Sequence, residues 1–182
     1  MKLKPVTKKI EREIKKALDK VSERDTAKLV RMLLPAERVF LTGQGRSGLV
    51  AEAFAMRLVQ LGMESHFVGE ATSPGIGKKD LLVAVSGSGK TVVTKSIVLQ
   101  ARKAKAKVAL ITSDKRTEMA KKAELAVGIR ARTKKGGKSS SEPMGSLFEQ
   151  AALLYLDSVI ILLMEKLGKK EKELRERHSN LE

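Results

Sequence analysis

The sequence contains no cysteine, so disulfides, thiolate nucleophiles and cysteine metal ligands are excluded together. Tryptophan is also missing and aromatic residues make up only 3%, which leaves almost no platform on which nucleic-acid bases could stack. Two histidines, His66 and His178, give little from which to build a histidine metal centre. The N-terminal segment has no signal-peptide profile, and no run is expected to be long and apolar enough to cross a bilayer. A cytoplasmic protein with no membrane association is expected. Its chemistry must come from carboxylates, hydroxyls, Arg, Lys and at most one His.

What is abundant is charge. Lys and Arg total 37 against 21 Asp and Glu, a formal net charge of +16 over 182 residues. The basic residues are spread through the N-terminal segment, the mid-chain loops and the tail, interleaved with Glu, rather than gathered into one stripe. This pattern suits a solvated Lys/Glu surface whose field draws in small anions better than it suits a nucleic-acid groove. The length allows one well-buried core, so a single domain over residues 1–182 is expected. Residues 1–34 would form an N-terminal helical extension and residues 168–182 a helical tail.

The stretch that organises the chain runs from Asp80 to Thr91, Asp-Leu-Leu-Val-Ala-Val-Ser-Gly-Ser-Gly-Lys-Thr. Leu81 to Val85 are uninterrupted apolar residues, as expected of a strand covered on both faces in a parallel sheet. Ser86, Gly87, Ser88 and Gly89 then form a turn, and Thr91 opens a helix at Val92. Amides at a helix N-terminus beside three hydroxyls make a seat for a phosphate monoester.

Around that centre, residues 5–34 read as helix, with a break near Glu23 to Thr26 and a stop at Pro35. Strands are predicted at 39–42, 65–68, 107–112 and 125–129, and helices at 49–61, 92–105, 117–123 and 147–167. This alternation predicts a parallel α/β sandwich with its ligand at the carboxyl ends of the strands. Residues 131–142 are predicted to be a polar loop. The segment Ala151 to Met164 is apolar nearly all round, which predicts burial on two sides, the second by another subunit.

Two motifs point elsewhere. Gly43-Gln44-Gly45-Arg46-Ser47-Gly48 after the first strand fits the dinucleotide fingerprint, with Glu70 placed as a ribose-binding acid. A second anion loop after the third strand is surplus to such a site, and little chain remains for a substrate domain. Gly89-Lys90-Thr91 ends like a nucleotide-binding P-loop, but Ala84 stands where that pattern requires glycine.

Taken together, several segments resemble the sugar isomerase (SIS) domain and, within it, the 6-phospho-3-hexuloisomerases. They are Gly43 to Gly48, Phe54-Ala55-Met56-Arg57-Leu58, Gly69-Glu70, Ser86-Gly87-Ser88-Gly89 with Thr91, Pro143-Met144-Gly145-Ser146 with Phe148-Glu149, and the ending His178, Asn180, Leu181, Glu182. The resemblance spans nearly the whole chain; Lys90 departs from it, standing where an acidic residue is frequent. It implies a three-layer αβα sandwich with a five-stranded parallel sheet in the flavodoxin-like order 2-1-3-4-5, assembled as a homo-tetramer. The implied reaction interconverts D-arabino-hex-3-ulose 6-phosphate and fructose 6-phosphate, within formaldehyde fixation through ribulose monophosphate or its reverse in pentose synthesis. No cofactor and no metal are implied.

Moving a carbonyl from C3 to C2 needs a base, an enediolate and return of the proton. On the resemblance, Glu149 is the base, Arg46 balances enediolate charge, and His178 moves protons between enediol oxygens or assists ring closure of the product. Ser86, Ser88 and Thr91 hold the phosphate with Gly87, while Gly45, Ser47 and Gln44 complete the substrate site. The plainer alternatives are a first-turn acid for Glu149, surface charge for Arg46, helix capping for Thr91 and an exposed tail residue for His178. His66 is expected to be structural. The rival functions are a sugar-phosphate sensor, another aldose–ketose isomerase such as one acting on arabinose 5-phosphate, and a nicotinamide-dependent oxidoreductase.

Overall fold

The computed structural model describes residues 2–133 and 140–181. The order of elements is α1 (Leu3–Leu18), α2 (Glu23–Leu33), β1 (Val39–Gly43), α3 (Arg46–Leu61), β2 (Ser65–Phe67), β3 (Leu81–Val85), α4 (Val92–Lys103), β4 (Lys107–Thr112), α5 (Glu118–Lys122), β5 (Leu125–Gly128), α6 (Ser146–Leu167) and α7 (Glu171–Arg175). All five strands are parallel, in the order β2-β1-β3-β4-β5. This is the expected sandwich with the expected strand order.

The alternation along each strand divides the core in two. Val39, Leu41, Leu81, Val83, Val85, Ala109 and Ile111 face a layer containing α1, α2, α3 and α6. Phe40, Leu82, Ala84, Val108 and Leu110 face α4 and α5. Because both faces are covered, β3 tolerates no polar residue along its length, which is why its sequence reads as a continuous apolar run.

The helical stretch expected over 5–34, with a break near Glu23 to Thr26, is two helices. Asp19 closes α1, and the Ser22 hydroxyl accepts from the Asp25 amide to cap α2. The break therefore falls earlier than Glu23 to Thr26, at the residue best suited to N-capping. Both helices are part of the body: Ile14, Ala17, Leu29, Val30 and Leu33 lie in the larger core. The Tyr155 hydroxyl of α6 donates to Thr26 Oγ1 at 3.3 Å, tying α6 to α2.

One expectation needs correcting. By length and composition alone, α6 would suffice to cross a bilayer. Its face carrying Ala151, Ala152, Leu156, Val159 and Leu163 is nevertheless buried in the core, and the helix packs on α1, α2 and α3. Its opposite face leaves Leu154 and Ile161 exposed, so burial on two sides does not occur within one chain. Of the polar loop expected at 131–142, residues 134–139 lie outside the described residues, as does Glu182.

Candidate active site

Three chain segments meet at the carboxyl end of the sheet. The first is the turn from β1 into α3. Gly45 has φ of 59° and ψ of −136°, a conformation open to glycine, and a Cβ on Gly43 would lie 2.6 Å from the Ser47 carbonyl oxygen. These two glycines bring the backbone of α3 back against β1, which places Gln44 and Ser47 at the rim. Gln44 Nε2 donates to the Gly43 carbonyl at 2.9 Å.

The second segment, Ser86 to Thr91, follows β3. The Gly89 amide donates to the Ser86 carbonyl at 3.0 Å, closing the turn. The Gly87 carbonyl accepts three bonds from the end of β4: the Ser113 amide at 3.0 Å, Ser113 Oγ at 2.8 Å and Thr112 Oγ1 at 3.3 Å. Since C=O and N–H point opposite ways across a trans peptide, fixing this carbonyl toward β4 turns the Ser88 amide away from β4. The first amides of α4 have no intrahelical acceptors and add their partial positive charge to the same place.

The Thr91 side chain distinguishes a cap from a ligand. At the two other N-caps with a hydroxyl side chain, Ser22 and Thr117 accept from the Asp25 and Ala120 amides, but Thr91 makes no capping bond. Its Oγ1 lies instead 3.3 Å from Ser86 Oγ. Two hydroxyls held side by side at a helix N-terminus can donate to two oxygens of one phosphoryl group.

The third segment is the start of α6. Glu149 is only 5% exposed, and its Oε2 accepts from Arg46 Nε, the first residue of α3. The arginine is more than half exposed, so the pair joins a buried carboxylate to a cation at the mouth. Phe148 packs on Gly87, where a Cβ would come within 2.8 Å of the ring. The base candidate and the anion loop are therefore held in one rigid contact.

The resulting cavity of about 120 Å³ is lined by Gln44, Ser47, Ser86, Gly87, Ser88 and Thr91 from the expected residues, together with Phe148 and Glu149. Gly45 shapes the turn behind it, and Arg46 reaches it through Glu149. Thr133, Gly145 and Val85 also line it. Thr133 follows β5 in a basic loop and carried no pattern by which sequence could single it out. Ser113 and Thr112 were visible as polar residues ending a strand, but their task of fixing Gly87 was not.

His178 is not brought to this cavity by its own chain. The neighbouring Arg177 guanidinium lies against Gly62, at the far end of α3 from Arg46. With 16 residues, α3 is about 24 Å long. His66 sits in β2 with its Nε2 3.1 Å from Glu64 Oε1 and its ring 5.3 Å from that of Phe40. Glu70 is exposed and lines no part of the cavity, so the dinucleotide reading loses its ribose partner. Among the described residues no group of three or more His, Asp or Glu side chains could hold a metal ion.

Comparison with known proteins gives a consistent result. The SIS domain family matches residues 32–154. A 3-hexulose-6-phosphate isomerase of Bacillus subtilis is 39% identical over 168 residues, covering 89% of each chain. One from Methanocaldococcus jannaschii is 37% identical over 153 residues, covering 84% of this chain and 82% of its own. A crystal structure of a Methanococcus jannaschii protein, for which the molecular function of 3-hexulose-6-phosphate isomerase has been inferred, superposes with a TM-score of 0.86 at 32% identity. That superposition covers 98% of this chain and 99% of the other. The fold, the family match and these full-length similarities agree: the chain belongs to the SIS domain family, in the branch that contains these 3-hexulose-6-phosphate isomerases.

Proposed function

We propose that this protein is a sugar-phosphate isomerase that interconverts D-arabino-hex-3-ulose 6-phosphate and fructose 6-phosphate. The observation that carries the reading is the buried Glu149, paired with Arg46, beside the uncapped Thr91 and Ser86 hydroxyls. A carboxylate and an anion seat held this close can place a phosphate and, a few bonds away, a carbon acid. The relatives named above bear the same activity.

In the proposed reaction, the phosphate occupies the Ser86–Thr91 turn and the open-chain sugar extends toward α6. The substrate is open-chain because the usual five-membered ring of a 3-ketose needs the oxygen on C6, which the phosphate occupies. Glu149 removes the proton from C2, the C2–H electrons form the C2=C3 bond, and the carbonyl electrons move onto O3. Arg46 turns from Glu149 to the developing oxyanion, so the cation follows the charge. The proton on O2 passes to O3 while Glu149 returns its own proton to C3, leaving the carbonyl at C2.

The cavity of about 120 Å³ is smaller than the ~300–1,000 Å³ usual for ligand sites. The sugar therefore extends past the mouth, where a further wall is needed. In this proposal a neighbouring subunit supplies it, docking on the exposed side of α6, and its tail delivers His178 to shuttle the proton between O2 and O3. Helices α1 and α2 pack into the core through Ile14, Ala17, Leu29, Val30 and Leu33 rather than standing apart as a DNA-binding module, which counts against the sensor.

The test is direct. Purified protein supplied with hexulose 6-phosphate should form fructose 6-phosphate without added nucleotide. Binding of fructose 6-phosphate with no conversion in either direction would overturn the enzymatic reading. Preference for arabinose 5-phosphate would overturn the substrate.

A further inference from the structure

A second and larger cleft lies on the other side of the Ser86–Thr91 turn. Its volume is about 820 Å³, roughly seven times that of the cavity beside Glu149. The cavity beside Glu149 draws its walls from the ends of β1 and β3 and the start of α6. The larger cleft lies beyond β4 and β5 and is closed by the link between α1 and α2. Ser88 stands between the two and lines both.

The lining is strongly basic. Lys20 comes from the α1–α2 link, Lys90 from the anion turn, Lys115 and Arg116 from the loop after β4, and Arg130 from the exit of β5. Two carboxylates are present, and both are engaged. Asp25 pairs with Lys115 at 2.7 Å and Asp114 with Arg116 at 3.1 Å. The Arg116 amide and then its guanidinium hold Asp114 below the usual carboxylate range. Among the described lining residues, five cations less two carboxylates leave +3, from Lys20, Lys90 and Arg130, none of which forms an ion pair among the described residues.

Like charges drawn from three separate segments repel. An anion in the cleft relieves that repulsion. A single phosphate monoester neutralises only part of it, whereas a molecule with two phosphoryl groups matches it. Among the described residues no aromatic side chain lines the cleft, so these offer no stacking face to a nucleobase. We propose that this cleft binds a compact, non-aromatic anion bearing two phosphoryl groups, and that the anion regulates the neighbouring site through Ser88 and Lys90.

The coupling follows from geometry. The Lys90 amide donates to Ser88 Oγ at 3.2 Å, and Lys90 adjoins Thr91 in the turn. An anion in the cleft accepts from the Ser88 hydroxyl and cancels the Lys90 charge, so the adjacent turn attracts a sugar phosphate less. Both ligands can be bound together, so inhibition is partial: KM rises to a plateau while kcat is unchanged.

Inorganic pyrophosphate is the probe, in metal-free buffer, followed by calorimetry and by its effect on isomerisation. Lys20→Ala with Arg130→Ala alters exposed side chains outside the first site, and should weaken pyrophosphate about tenfold while leaving probe-free activity intact. Ser86→Ala with Thr91→Ala should weaken the sugar phosphate and leave pyrophosphate within about twofold. Pyrophosphate that drives activity to zero by simple competition, or whose binding is lost in the Ser86/Thr91 variant and kept in the Lys20/Arg130 variant, overturns the proposal. So does the absence of binding at millimolar pyrophosphate. Activity measured without pyrophosphate tests the isomerase reading separately.

Discussion

Glu149 and Arg46 are 103 positions apart, yet each shapes what the other can do. While paired, the carboxylate is held in place by the guanidinium; in the proposed mechanism the same cation then meets the new negative charge when substrate enters. Glu149→Gln keeps the shape and a hydrogen-bond acceptor but cannot take a proton. Its kcat is expected to fall by about 10²–10⁴, read in a coupled assay for fructose 6-phosphate, with the melting temperature nearly unchanged. Thr91→Val should act differently, raising KM more than it lowers kcat, because in the proposed site the hydroxyl would hold the phosphate in ground state and transition state alike. An unchanged KM would return Thr91 to a purely structural role. The turn Ser86 to Thr91 could be located from sequence because its chemistry is local. The ion pair could not, since only the fold brings α3 and α6 together.

At the scale of elements, strand positions were legible to within a residue because the parallel sheet demands unbroken apolar runs. Helix ends were less so. The Asp19–Ser22 link was read a few residues late, near Glu23 to Thr26, because apolar residues continue at helical spacing on both sides of it, and the capping bond at Ser22 decides where α2 starts. Within α6, Tyr155 is buried among apolar neighbours, and burial pushes its hydroxyl up to about 12. Its ordinary value is 10.0, so between those two values the unfolded chain loses a proton that the folded chain keeps. Stability is therefore whole below the lower value and falls as pH rises through the window, by about 1.4 kcal/mol per pH unit from this group. Tyr155→Phe should remove that share of the alkaline loss, which denaturant melts of both proteins across the window would reveal. Gly87→Ala should push Phe148 away from the anion turn and cost activity out of proportion to stability; equal losses in both would argue that the contact only fills space.

For the whole molecule, a charge of +16 predicts that kcat/KM for a sugar phosphate falls with added salt, since a basic surface speeds the capture of an anion. Insensitivity to salt would confine the charge to solubility. The exposed side of α6, with Leu154 and Ile161, predicts self-association, checked by sedimentation of the wild type and of Ile161→Glu. The sequence pointed to that surface because α6 lacks a wet face, but it could not say how many copies meet there. The proposed role of His178 depends on the same surface, since it requires the tail of another copy to reach the cavity beside Glu149.

The carbonyl of Gly87 has one more implication. It is held by three donors from Thr112 and Ser113, so in the proposed site the seat for the charged end of the sugar is already cast before any substrate arrives. An enzyme built this way spends little on rearranging its grip during a catalytic cycle. In the proposed mechanism the moving part is the arginine at the opposite lip, and the pace of turnover should be set by how quickly that arm lets go of the glutamate and takes it back.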